Sequence, residues 1–270
     1  MRLTAALLAA STALAAFAPA WTTPARAADA LPEMLPHRAL YKLTLANSPN
    51  GDVIGATGTM TYEMTDACEG WAVHQRLELH LTDRDGQDVE MLSDYVTFEA
   101  KDGTSFRFKS RQSTDQTLTD ALEGTASLRA DGSGGTANYA EPEKKEIALP
   151  AGTLLPTPHT QAVIAAAQAG KKTLNVPLFD GTSADGAQDS FVNVLSWEKP
   201  KDAKYSVLSP LPSGRFHISF YSRKPDASTP EYEVSMRYWQ NGVADSLVMN
   251  FGDFLVNGAI SEFRVNTPRC

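Results

Sequence analysis

Soft metal ligands and ready nucleophiles are scarce in this sequence. Its 270 residues include only 2 cysteines and 5 histidines. The histidines, His37, His74, His80, His159 and His217, are scattered, and no H-x-x-x-H pair could hold a metal ion from one helix face. Basic charge is also short, with 24 Lys and Arg against 32 Asp and Glu and a formal net charge of −8. That balance excludes the electrostatic footprint of a nucleic-acid binder. It also leaves no basic cluster for docking on anionic headgroups. No apolar run reaches the ~20 residues that a membrane-spanning helix needs.

The longest apolar run is at the N-terminus, in MRLTAALLAASTALAAFAPAWTTPARAADA. One cation, Arg2, precedes an apolar run from Leu3 to Phe17, and Ala25-Arg26-Ala27 forms a small-x-small cleavage site. This predicts a signal peptide over residues 1–27 and a mature chain, residues 28–270, exported to an oxidising space. No cysteine stands near the cleavage site, so a lipoprotein signal is not expected. Export matters for Cys68 and Cys270, which is the last residue. A cysteine in last position is neither a prenylation box nor part of a C-x-x-C pair. An even number of cysteines in an exported chain is expected to pair, with two buried free thiols as the alternative. A bond between them would close a loop of about 200 residues, which chain entropy values at up to about 5 kcal/mol.

The mature sequence alternates with period two almost throughout. In LYKLTLA, Tyr41, Leu43 and Leu45 share a face; in TMTYEMT, Met60, Tyr62 and Met64 do. SFRFKS sets Phe106 and Phe108 against Arg107 and Lys109, and EYEVSMRY sets Tyr232, Val234, Met236 and Tyr238 against charged or small partners. Such segments read as half-buried antiparallel strands. Asn-Gly or Asp-Gly occurs at 50–51, 85–86, 102–103, 131–132, 180–181, 185–186, 241–242 and 257–258. These dipeptides suit tight hairpins. Together they predict a mainly β chain of a dozen to fourteen strands in one continuous body.

PTPHTQAVIAAAQAG, residues 156–170, interrupts this pattern. It predicts one helix of about 12 residues, with Thr157 as N-cap, Pro158 at the first helical position and Gly170 as the stop. Ala162, Ile164, Ala165, Ala166 and Ala169 are too small and apolar for an exposed helix, so the segment should pack against the sheet or plug an opening in it. The proline-rich stretch before it, EPEKKEIALPAGTLLPTP, predicts a connection or an edge strand.

No catalytic constellation stands out. His74 and His80 lie on the polar face of one strand, about 20 Å apart at ~3.3 Å per residue, too far to share one ion. GTSADG at 181–186 has the wrong spacing for a nucleophile elbow. The carboxylates of LTDRDGQDVE, residues 81–90, do not match a calcium loop and read as a hairpin tip. ADGSGGTAN, at 130–138, is a flexible loop and not a phosphate cradle, since neither a helix nor Gly-Lys-Ser/Thr follows it. The expectation is therefore no metal, no cofactor and no enzymatic activity. The aromatic residues, among them Trp71, Trp197 and Trp239, form either an ordinary core or the wall of an apolar pocket where a curved sheet fails to close.

GATGTMTYEMTDACEGWAVHQRLEL, GTSFRFKS, TLLPTPHTQAVIAAAQAG, VPLFDGTSADG and YEVSMRYWQNGVADSLVMNFGDFLVNGAISEF follow one another through the mature chain. In that order, with the two cysteines, they resemble the cell envelope integrity protein B family of Gram-negative periplasmic proteins. The resemblance implies an antiparallel β-spiral: an incompletely closed barrel of about fourteen strands with one short α-helix at its opening. It also implies a Cys68–Cys270 disulfide and a non-enzymatic role in maintaining the cell envelope. A periplasmic tetratricopeptide-repeat protein is the implied partner, and periplasmic lipoprotein carriers offer an analogy for a lipid-like ligand. The competing reading is a hydrolase or transferase acting on an envelope polymer.

Overall fold

The computed structural model describes residues 31–268. The expected signal peptide and Cys270 lie outside the described residues. The strands are β1 (His37–Asn47), β2 (Val53–Asp66), β3 (Gly70–Asp83), β4 (Asp88–Ala100), β5 (Ser105–Thr114), β6 (Thr117–Leu128) and β7 (Gly135–Glu141). They continue with β8 (Lys145–Leu149), helix α1 (Pro156–Gln168), β9 (Thr173–Leu178), β10 (Gln188–Glu198), β11 (Ser213–Tyr221), β12 (Tyr232–Trp239), β13 (Ala244–Asn250) and β14 (Leu255–Val265).

All fourteen strands belong to one sheet, in the order β8-β7-β6-β5-β4-β3-β2-β1-β14-β13-β12-β11-β10-β9. The first strand pairs antiparallel with the last, as in an up-and-down barrel. The ring is broken elsewhere: β8 and β9 are the two edges of the sheet. These edge strands are consecutive in sequence, and α1 is the link between them. The expected unclosed spiral with one helix is therefore the observed fold, and the break coincides with the one helix among the described residues.

The alternation sets the faces. Tyr41 and Leu43 of β1, Leu79 of β3, Val192 of β10, Phe216 and Ile218 of β11 and Val256 of β14 build one core, joined by Val163 and Ala167 of α1. A second core lies on β5–β8: Phe106, Phe108, Leu122, Tyr139 and Leu149 pack with Leu155 and Phe179 from the connections. Full burial of one such side chain stabilises by about 1.5–3 kcal/mol. Phe179 meets Phe106, Phe108 and Tyr139 edge-on, at centroid distances of 6.1, 5.5 and 6.4 Å. The proline-rich stretch supplies the edge strand β8. The opposite edge is partly covered, because Leu154 forms a parallel bridge to Leu178.

Three local features differ from the sequence expectation. The helix begins at Pro156 with Leu155 as its N-cap, and no side-chain cap bond is made. Thr157 is inside the first turn because Pro156, which has no N–H to lose, suits the first helical position. The Asn257-Gly258 pair is no turn: it lies within β14, where a Cβ on Gly258 would stand 3.2 Å from that of Leu247. The β5–β6 turn contains no glycine; Asp115 and Gln116 take positive φ values of 49° and 62°. The other seven Asx-Gly pairs do place glycine at positive φ.

Candidate functional site: the sheet opening and the groove on β4–β8

Helix α1 is fixed from several directions. Its own cap lacks a side-chain acceptor, and β4 supplies one: the Thr157 amide donates to Glu99 Oε2 at 2.9 Å. His159 shares a hydrogen bond with Ser190 of β10 at 2.8 Å, both residues being buried. Gln161 Nε2 donates to the Pro32 carbonyl at 2.9 Å. Glu99 is only 3% exposed, and its Oε1 has no hydrogen-bond partner. Burial pushes its carboxyl up to about 7, against the opposing effect of the Thr157 hydrogen bonds. Burial alone holds the His159 imidazole down at about 4, so it is neutral near pH 7.

The residues proposed from sequence for the plug are distributed unevenly. Ile164 and Ala166 are buried, with Thr157, His159, Val163 and Ala167. Ala162 and Ala165 are half-buried, and Ala169 is the exposed C-cap. Trp239 is buried in the first core, and Trp197 packs against the same core. Trp71 stands apart at the start of β3, half-buried, with Lys101 Nζ 4.9 Å above its ring. The helix repeat of 3.6 residues explains the missed Val163, which shares a face with His159 and Ala167. Replacing Ala166 with Trp should overfill the helix–sheet contact and cost about 1–3 kcal/mol. Urea denaturation measures this; the same change at exposed Ala169 should leave the midpoint nearly unmoved.

A groove of about 950 Å³ lies on β4–β8, bordered by side chains on the face opposite the second core. Its apolar surface comes from Ala72, Val96, Phe98 and Ala140, and its charged rim from Arg107, Lys109, Lys144, Glu123 and Glu146. Lys145 pairs with Tyr139 in the ladder, and its Nζ donates to the Ala184 carbonyl on the other face. Val96 is 44% exposed, a large share for a mid-strand valine. Arg107 lies over the Phe98 ring at 4.8 Å, and Lys109 is paired with Glu123. Gly124 provides relief in the floor, since a Cβ there would stand 2.3 Å from the Asn138 carbonyl. None of the three tryptophans lines the groove. The basic rim was not legible as a run, because its members come from β5 and from the turn between β7 and β8.

One polar cluster has the composition of a catalytic set. His217 Nδ1 lies 2.9 Å from Ser235 Oγ and its Nε2 lies 3.2 Å from Glu233 Oε1. This has the connectivity of a serine–histidine–acid set. Ser235, however, is mid-strand, paired in the ladder with His217 on one side and Val248 on the other. It lacks the exposed strand-to-helix turn and free amide donors that nucleophilic catalysis uses. Ser219 and Asn250 also bond to Glu233, which makes a satisfied polar network on the sheet face. The buried His159–Ser190 pair anchors the helix. Alternation on β12 puts Glu233 and Ser235 on the polar face, and only the pairing with β11 brings His217 to them.

The EipB-like family profile matches residues 28–267. The chain belongs to the EipB-like family. The cell envelope integrity protein EipB of Brucella abortus is 30% identical over 250 residues, covering 89% of this chain and 87% of that protein. A crystal structure from Brucella abortus, of a β-barrel-like protein of a domain of unknown function, superposes with a TM-score of 0.77. It is 26% identical in sequence and covers 87% of this chain and 99% of its own. The EipB-like fold in this chain thus extends over nearly all the described residues. No described helix is long and apolar enough to cross a membrane.

Proposed function

We propose that this chain is exported to the periplasm and supports cell envelope integrity by binding a lipid-like anionic amphiphile, without catalysing a reaction. The relationship to the envelope integrity protein of Brucella abortus supports the envelope role. The observation that carries the binding reading is the groove on β4–β8. It combines exposed Val96 and half-buried Phe98 with three cations, Arg107, Lys109 and Lys144, against two carboxylates, in a chain whose formal net charge is −8. An acyl chain would lie on the apolar strip, and an anionic head would meet Lys144 at the rim. The absence of a usable nucleophile at the His217 cluster supports a non-enzymatic role over the hydrolase or transferase alternative.

The Cys68–Cys270 disulfide belongs to the same proposal. Cys68 is not a free thiol. It occupies the turn between β2 and β3 at φ 69°. The chain's tail approaches that turn: Asn266 donates from its amide to the Pro36 carbonyl at 2.9 Å and from Nδ2 to the Met64 carbonyl at 3.0 Å. Asn266 and Met64 each stand four positions from a cysteine, within the ~3.3–3.6 Å per residue that an extended chain spans.

Titration with a fluorescent fatty-acyl probe tests the groove. Val96→Glu places a carboxylate in the apolar strip and should weaken binding at least tenfold. Leu195→Glu, at an equally strand-borne position 60% exposed on β10, should leave it unchanged. Absence of probe binding to the unsubstituted protein would end the lipid reading. A purified tetratricopeptide-repeat partner that binds and is blocked by Val96→Glu would then assign the groove to a protein.

A further inference from the structure

The outer face of β3 carries His74, Arg76, Glu78 and His80 in alternation, and each has a charged neighbour on that face. His74 and Arg76 both meet Asp94 of β4, at 3.1 and 3.3 Å. His80 is directly opposite Glu90 of β4, and its Nε2 lies 3.4 Å from Glu78 Oε1. One ligating atom from each of Glu78, His80 and Glu90 lies within 4.8 Å of the other two. Among the described residues, Glu90 has no ion pair or side-chain hydrogen bond. Glu78 and Glu90 are diagonal neighbours across the β3–β4 pair, an arrangement in which like charges repel.

We propose that Glu78, His80 and Glu90 form a surface site for a divalent transition-metal ion of the zinc class. An imidazole and two carboxylates offer borderline nitrogen and hard oxygen donors, a set that suits zinc and carries enough negative charge to bind it. Zinc-to-ligand distances are about 2.0–2.2 Å, so small rotations of half-exposed side chains bring the three atoms onto one ion. The donors come from two adjacent strands locked in register, so the backbone positions are fixed before an ion arrives.

A fourth coordination position is open. A second groove, of about 400 Å³, is lined by Glu78 and His80 together with Lys42, Thr57, Gly58 and Thr59. Gly58 is required there: a Cβ would fall 2.0 Å from the Glu78 carbonyl oxygen. Water or a small anion entering from this side would complete a tetrahedral shell, with the Lys42 ammonium lining the same groove. The neighbouring carboxylates are otherwise engaged. Asp83 Oδ1 accepts from the amides of Asp85 and Gln87 at 2.9 and 2.8 Å, and Asp88 Oδ1 accepts from Thr82 Oγ1 at 2.8 Å. They close the hairpin tip, as the sequence predicts, and Glu90 alone of that run joins the histidine. The expectation of no metal weighs the histidines and the carboxylates of residues 81–90 separately, and only the register joins His80 to Glu90.

The test uses the mature, untagged protein, stripped with chelator, and zinc chloride as the probe. Competition against a chromophoric zinc chelator should show one equivalent bound, and zinc should raise the thermal midpoint as ligand linkage requires. His80→Ala and Glu90→Gln, both at exposed or half-exposed positions, should each weaken binding at least tenfold. His74→Ala, on the same strand face, should leave it unchanged. No zinc binding by the unsubstituted protein, or equal binding by His80→Ala and Glu90→Gln, overturns the proposal. Far-UV circular dichroism of each variant separates lost binding from lost fold.

Discussion

Reduction of the proposed Cys68–Cys270 disulfide should lower the unfolding free energy by about 2–4 kcal/mol, the typical effect of losing one disulfide. The closed loop would be one of the longest that this chain permits, so chain entropy sets the upper figure near 5 kcal/mol, reduced by strain and by residual structure in the denatured chain. Bonds from Asn266 to Pro36, Glu63 and Met64 already hold the tail beside β1 and β2, so the proposed crosslink would act mainly on the unfolded ensemble. Cys68→Ser and Cys270→Ser should therefore each fold and each unfold at lower urea. The double variant should be no worse than either single one. Alkylation of the unreduced, denatured protein should leave both thiols unmodified; stoichiometric labelling would remove the crosslink from the account.

Glu99→Gln should change the shape of the pH–stability curve and not only its height. The folded carboxyl is raised from 4.5 to about 7. A raised group contributes stability that is complete below pH 4.5 and is lost as pH rises through about 7. At 1.36 kcal/mol per pKa unit the loss is about 3 kcal/mol. His159 acts in the opposite sense. Its folded value is lowered from 6.5 to about 4, so its contribution is present above pH 6.5 and is lost as pH falls towards 4. The two partly offset one another between pH 4.5 and 6.5 in the unsubstituted protein. Glutamine keeps an oxygen for the Thr157 amide but cannot ionise. Glu99→Gln should accordingly lose stability only on acidification and gain relative to the parent at pH 8. Parallel curves for the two proteins, measured by urea denaturation from pH 4 to 8, would show that Glu99 does not govern the helix anchor.

Most of the sheet was legible because its signals are local. Alternation assigns faces strand by strand, and Phe106, Phe108, Val234 and Met236 are buried where the pattern puts them. Glycine at positive φ marks most of the hairpins, and the β2–β3 and β5–β6 turns escape because Cys68, and Asp115 with Gln116, adopt that conformation themselves. What the sequence concealed depends on register and on distant elements. Glu99 caps a helix 58 positions away, where the helix's own N-terminal residues offer a plausible but unused Thr157. Val96, Arg107 and Lys144 become one groove only once β4, β5 and the β7–β8 turn are side by side. His80 and Glu90 become neighbours only once β3 and β4 pair. Periodicity names the face on which a side chain lies, and cross-strand pairing decides what it meets there.

Native mass spectrometry of the mature protein, isolated from its own cells without detergent, tests the binding account most directly. The account expects the protein to carry a single anionic amphiphile, which Val96→Glu loses and Leu195→Glu retains. A bare protein mass for the unsubstituted chain, or the same adduct on Val96→Glu, would contradict it.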